Sequence, residues 1–223
     1  MARFSRLQVL NQLHQTPFVP LFFHQDAQVA VEVIRACYTG GVRVFEFTNR
    51  GDFAHETFAQ ITKAAAQYFP DLVIGAGTIV DAPTAALYIQ LGADFIVAPY
   101  FNADVAKLCN RRKVAYIPGC ATLTEVGTAE EAGCEIVKLF PGDGLSPKFV
   151  KALKGPMPWS SVLITGGVEP TATSLESWFS AGATAVGLGS QLFKREWINS
   201  KNYAAIQQTC FDCLEIIRKL KQV

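Results

Sequence analysis

Two charged side chains stand inside runs that otherwise read as buried β-strand, and both have side chains suited to catalysis. The first is Glu46, in Val44-Phe45-Glu46-Phe47-Thr48-Asn49-Arg50. Side chains alternate faces along a strand, so Val44, Glu46 and Thr48 share one face while Phe45 and Phe47 share the other. If the phenylalanines meet a helix layer, Glu46 points inward. Burial then penalises the carboxylate, raises its pKa and suits it to proton transfer. An outward glutamate paired with Arg43 is the structural alternative. The second is Lys138, in Ile136-Val137-Lys138-Leu139-Phe140-Pro141, with no acid two or four positions away. Desolvation there favours the free amine, the nucleophile that condenses with a carbonyl compound as a Schiff base. A lysine snorkelling at the strand end, or holding an anion as a fixed cation, fits the same segment.

Glycine turns add a third feature. Thr165-Gly166-Gly167-Val168 and Gly189-Ser190 each close an apolar run. Glycine lets backbone approach a ligand closely, and successive N–H groups cradle an anion, with Thr165 and Ser190 offering hydroxyls. Each also reads as an ordinary turn. Gly75-Ala76-Gly77-Thr78 ends another run, either placing Thr78 at a pocket mouth or making a tight turn. Pro99, Pro118 and Pro141 directly follow apolar runs and would stiffen a rim.

The elements that must position these groups alternate along the chain. Short, largely non-alternating apolar runs predict strands at 18–23, 42–47, 73–76, 95–98, 115–117, 136–139, 162–164 and 185–188, as for parallel strands covered on both faces. Helical spacing lies between them, with Asp26, Asp81 and Asn102 as N-caps and Pro170 in a first turn after Glu169. Gly40-Gly41, Gly92, Gly133 and Gly182 suit helix ends in the left-handed region. Eight strands, each with a following helix, predict an α/β chain folded as a compact (β/α)₈ TIM barrel with an additional N-terminal helix. An open doubly wound sheet uses the same elements. In a barrel, chemistry gathers at the C-terminal ends of strands, and phosphate sites often use the loops after strands seven and eight. With no linker or low-complexity stretch, residues 1–223 read as one domain.

Composition narrows the function further. Of 223 residues, 50% are hydrophobic and 17% charged, which excludes intrinsic disorder. The net charge of +1 carries no basic excess of the kind that nucleic acid requires. No apolar run is long enough to span a bilayer, and Met1-Ala2-Arg3-Phe4-Ser5-Arg6 lacks the core of a signal peptide. Six dispersed cysteines suit a reduced, cytoplasmic chain. Cys210-Phe211-Asp212-Cys213 falls in a helical stretch and reads as core. Cys120 lacks an activating partner, and His14, His24 and His55 have no metal-ligand spacing. Arg111-Arg112-Lys113 reads as a solvated helix end. No metal and no cofactor are expected.

In order and placement these segments resemble the KDPG/KHG aldolase family, Schiff-base lyases on a compact (β/α)₈ barrel. The marks are Gly40-Gly41-Val42-Arg43-Val44 leading to Glu46, Thr48 and Arg50; Gly75-Ala76-Gly77-Thr78; Pro118-Gly119 with Ala121-Thr122; Val137-Lys138-Leu139-Phe140-Pro141; Thr165-Gly166-Gly167-Val168; and Gly189-Ser190. The resemblance covers nearly the whole chain. It implies that Lys138 forms the imine with a 2-oxo acid and Glu46 carries protons. Arg50 would clamp the pyruvyl carboxylate with help from Thr78, and Gly166, Gly167 and Ser190 would hold a distal phosphate. Thr165, Phe140 and Pro99 would line the pocket. It implies 2-keto-3-deoxy-6-phosphogluconate or 4-hydroxy-2-oxoglutarate as substrate, split to pyruvate and an aldehyde, and a homotrimer. The sequence departs from the family at Asn49, where an apolar residue is usual, and at Gly51, Tyr100 and Pro141-Gly142-Asp143. These departures bear on the choice of aldehyde. Two other readings use the same residues: a phosphosugar isomerase or epimerase with Glu46 as the proton carrier, and a non-catalytic sugar-phosphate-binding protein.

Overall fold

The computed structural model describes residues 2–221; residues 1, 222 and 223, which fall in the expected domain range, lie outside the described residues. In chain order the strands are β1 (Phe18–Phe22), β2 (Val44–Thr48), β3 (Val73–Gly77), β4 (Phe95–Val97), β5 (Ala115–Ile117), β6 (Gly119–Cys120), β7 (Val137–Leu139), β8 (Val162–Thr165) and β9 (Ala185–Leu188). The helices are α1 (Arg6–Gln15), α2 (Ala27–Thr39), α3 (Ala54–Tyr68), α4 (Ala82–Gln90), α5 (Ala103–Arg112), α6 (Leu123–Glu131), α7 (Gly142–Lys154), α8 (Ala172–Ser180), α9 (Arg195–Asn199) and α10 (Tyr203–Lys221). All pairings are parallel, in the order β5-β4-β3-β2-β1-β9-β8-β7-β6.

The ring closes through one broken stave. The run expected as a fifth strand divides at Pro118, which has no N–H for a ladder. Residues 115–117 pair with β4 and residues 119–120 with β7. The carbonyl of Pro118 still accepts from the Lys138 N–H at 2.8 Å. Eight staves therefore count as nine strands, and an open sheet is excluded. The predicted N-caps hold: Asp26, Asp81 and Asn102 each accept from helix N–H groups. Gly41, Gly92, Gly133 and Gly182 all have φ between +85 and +105°, the conformation that stops a helix cheaply only at glycine. Pro170 is not in a first turn, because Thr171 caps α8 and the helix starts at Ala172. Strand ends differ from expectation by one or two residues.

Helix α1, opened by a capping box between Ser5 and Gln8, buries Val9, Leu10 and Leu13. They pack on inward side chains of the barrel such as Val19, Val44, Val73, Phe95, Ile136 and Leu163. This plug fills the N-terminal end of the ring. Asp94 secures it, accepting from the N–H groups of Arg3, Phe4 and Ile74 at 2.7, 3.3 and 3.0 Å. On β2 and β7 the apolar filling ends at Val44 and Ile136, each two residues and so one inward step before Glu46 and Lys138. Above them Glu46, Thr48, Lys138 and Thr165 bring buried polar side chains into the interior beside the apolar Val97 and Ile117.

Candidate active site

Strand β2 divides as its alternation predicts. Phe45 and Phe47 join the helix-facing core, while Glu46 points into the ring and is 1% exposed. Arg43 does not pair with it; the guanidinium binds Asp71 at 2.7 Å instead. Lys138 also projects inward, 6% exposed, with Nζ 4.8 Å from the centroid of the Phe140 ring. Neither oxygen of Glu46 has a hydrogen-bond partner. Burial drives its pKa up, against the opposing pull of the Lys138 and Arg50 charges. A buried amine and a buried carboxyl thus face the same interior and sense each other electrostatically.

The sign of that shift sets a stability prediction. A protonated Glu46 is cheap to bury, whereas ionisation as pH rises through its raised pKa makes the fold carry an unbonded carboxylate. Glu46→Gln removes that pH-dependent cost. Its melting temperature should gain on the parent's as pH rises above the ordinary carboxylate range, while turnover falls ~10²–10⁴-fold. Parallel melting and rate measurements over a pH series check both halves.

A residue read only as part of a turn proves central to this geometry. Gly77 lies beside Glu46 on β3, and a Cβ there would stand 1.8 Å from Oε1 of the carboxylate. Glycine leaves the hole that the acid occupies. Two residues earlier, a Cβ on Gly75, the strand partner of Glu46, would meet the apolar Phe95 ring at 2.4 Å. The available sequence signal was the pair of glycines inside a buried strand, which marks close approach of another group.

The remaining candidates ring the mouth. Arg50 lies two residues beyond β2, exposed, and among the described residues makes no ion pair. Thr78 follows β3 with φ +62°, an uncommon conformation for threonine, and is half-buried. Thr165 ends β8 with its hydroxyl buried and unpartnered. Gly166 and Gly167 follow at φ +91 and +66°. A Cβ on Gly167 would meet the backbone of Asp143 at 2.7 Å, so these glycines pack on the first turn of α7. Asp143, which brings a carboxyl to that turn, is a neighbour that the sequence reading did not place there. Gly189 and Ser190 follow β9, and a Cβ on Gly189 would lie 3.6 Å from the Leu21 carbonyl of β1. Pro99 is half-buried after β4, its carbonyl against Gly119.

Other thiols and cavities lie apart from this set. Burial pushes the Cys120 thiol up to about 12, and Cys210 and Cys213 are buried along α10. Among the described residues no group of three His, Cys, Asp or Glu side chains could hold a metal. No helix among them is long and apolar enough to cross a membrane. A cavity of about 450 Å³, with Thr16, Gly41, Phe211 and Arg218 in its walls, lies where the strands begin, away from the amine and the acid.

Comparison with known proteins agrees with the geometry. The model of the family described as KDPG and KHG aldolase matches residues 9–209. A 2-dehydro-3-deoxy-phosphogluconate aldolase of Pseudoalteromonas atlantica is 34% identical over 158 residues, 70% of this chain and 72% of the relative. A 2-dehydro-3-deoxy-6-phosphogalactonate aldolase of Escherichia coli is 36% identical over 128 residues, 57% of this chain and 62% of the relative. A solved structure described as native KDPGal superposes with a TM-score of 0.82 at 27% identity, covering 93% of this chain and 97% of the other.

Proposed function

The chain belongs to the KDPG and KHG aldolase family, and from that premise we propose how its own residues perform a class I aldol cleavage. The enzyme is a carbon–carbon lyase that forms and splits 2-oxo acids through pyruvate. Its substrate is 2-keto-3-deoxy-6-phosphogluconate, 4-hydroxy-2-oxoglutarate or both, and the second product is the corresponding aldehyde. The observation that carries the assignment is the enclosed pair of Lys138 and an unbonded Glu46, with the acid's pKa raised by burial.

The Lys138 lone pair attacks the C2 carbonyl, and the resulting carbinolamine loses water to give a protonated imine. Glu46 supplies the proton that leaves with that water. As a carboxylate it then takes the C4 hydroxyl proton. The C3–C4 bond breaks, its electron pair flows into the iminium as an enamine, and the aldehyde departs. Reprotonation at C3 and hydrolysis release pyruvate and the free amine. A raised carboxyl pKa suits a group that must alternate between acid and base. Arg50 holds the pyruvyl carboxylate in a two-pronged clamp, with Thr78 beside it. Gly166, Gly167 and Ser190 hold the distal phosphate through backbone N–H groups and a hydroxyl. Thr165, Phe140 and Pro99 line the space between.

One aldolase domain spans residues 1–223, and it works in the cytoplasm as a homotrimer. Support for the location comes from six unpaired thiols, all buried. Support for assembly comes from exposed apolar side chains on the consecutive strand-to-helix connections after β2, β3 and β4, Phe53, Val80 and Tyr100, and from Leu123 at the start of α6.

A coupled pyruvate-release assay on phosphogluconate-derived, phosphogalactonate-derived and unphosphorylated 2-oxo acids tests the function. Pyruvate should appear from at least one, with Lys138→Met inactive on all. An isomerase would retain activity in that variant, and a silent binding protein would release no pyruvate from any.

A further inference from the structure

The outward face of β2 continues past the end of the strand in an unexpected way. Phe45 and Phe47 face the helices, and the next residue on that side is Asn49. The row it joins is aromatic: Phe47 packs on Phe58 at 5.8 Å between centroids, and Phe58 on Tyr88 of α4 at 4.9 Å. Asn49 is accommodated because the Tyr88 hydroxyl donates to its Oδ1 at 2.7 Å. Tyr88 is 1% exposed, and burial pushes its phenol up to about 12, so it remains a donor throughout the working pH range.

The backbone of the same residue is also held, since the Asn49 N–H donates to the Gly77 carbonyl at 2.8 Å and extends the β2–β3 ladder by one rung. Beyond it the chain turns sharply, with φ of +80° at Gly51 and +58° at Phe53. Asn49 is therefore fixed through both its side chain and its backbone, and Arg50 is the next residue out. Alternation sends Arg50 back toward the mouth on the side shared by Glu46 and Thr48.

We propose that Tyr88, acting through Asn49, is a positioning residue for the Arg50 carboxylate clamp. The inference rests on the reading of Arg50 given above. An aromatic row does not retain an unbonded amide: without the phenol, Asn49 turns toward water and moves the base of Arg50 with it. The effect belongs to binding of the 2-oxo acid carboxylate and leaves the amine and Glu46 in place.

Steady-state kinetics and melting of Tyr88→Phe, Asn49→Leu with Tyr88→Phe, and Arg50→Gln test this. Tyr88→Phe should raise KM for the cleaved 2-oxo acid about five- to tenfold with kcat within about twofold of the parent. The double variant restores an apolar pair and should recover melting temperature while KM stays high. Recovery of both would assign the pair to packing alone and overturn the proposal. An unchanged KM in Tyr88→Phe alongside a raised KM in Arg50→Gln would likewise overturn it with the clamp intact. An unchanged KM in Arg50→Gln would overturn the clamp itself.

Discussion

Lys138→Met loses turnover by at least ~10⁴-fold while the chain stays folded. Methionine matches the length of the lysine stem and carries no charge, and the site is an almost fully buried position on β7. The melting temperature is thus unchanged or higher. The substitution also removes one of the two positive charges that pull the Glu46 pKa down. In Lys138→Met that carboxyl should titrate higher still, visible as an upward displacement of its carbon resonance midpoint. A variant that lost activity by misfolding would show neither the retained melting temperature nor the displaced titration.

Gly77→Ala is the second large effect, and it separates catalysis from stability. The added methyl would occupy the position of the Glu46 carboxyl, at 1.8 Å from Oε1 and 2.5 Å from Cδ. The backbone at Gly77 lies outside the left-handed region, so alanine is tolerated locally and the side chain of Glu46 is what must move. No hydrogen bond resists that movement. A displacement near 1 Å in a proton carrier costs about 10²-fold in rate, so kcat should fall by about that factor with a modest change in melting. Gly75→Ala is the control, because its methyl would strike the Phe95 ring in the apolar filling. It should destabilise by about 1–3 kcal/mol and spare kcat in the molecules that remain folded. Kinetics and melts of the two variants measured side by side should show opposite patterns.

The difference between these two glycines shows what could be read in advance. Alternation in β2 favoured an inward Glu46 over an outward one paired with Arg43, and the structure turns it inward, with Arg43 bound to Asp71 instead. The isolated lysine in Val137-Lys138-Leu139 was legible as buried or snorkelling, and the structure turns it inward. The barrel followed from regular alternation of strand and helix, and the helix ends from residues whose caps act within three or four positions. Gly77 was not legible in that way, because its role depends on the β2–β3 pairing and on the Glu46 side chain, 31 residues earlier in the chain, reaching past its own partner Gly75 to lie over Gly77. The Asn49–Tyr88 contact spans 39 residues and depends on where α4 lands on the sheet. The broken fifth stave reflects ring closure: Pro118 was visible as a rim residue, but only the positions of β4 and β7 divide the strand around it. Local rules reached the inward acid and amine, whereas the groups that make room for them are set by tertiary contacts.

Incubating the protein with pyruvate and borohydride, then mapping peptides by mass, asks whether the Lys138 amine condenses with a 2-oxo acid. The account predicts a single reduced adduct on the peptide containing Lys138, heavier by pyruvic acid less one oxygen, together with loss of activity. An unmodified Lys138 peptide in protein that still releases pyruvate would contradict it.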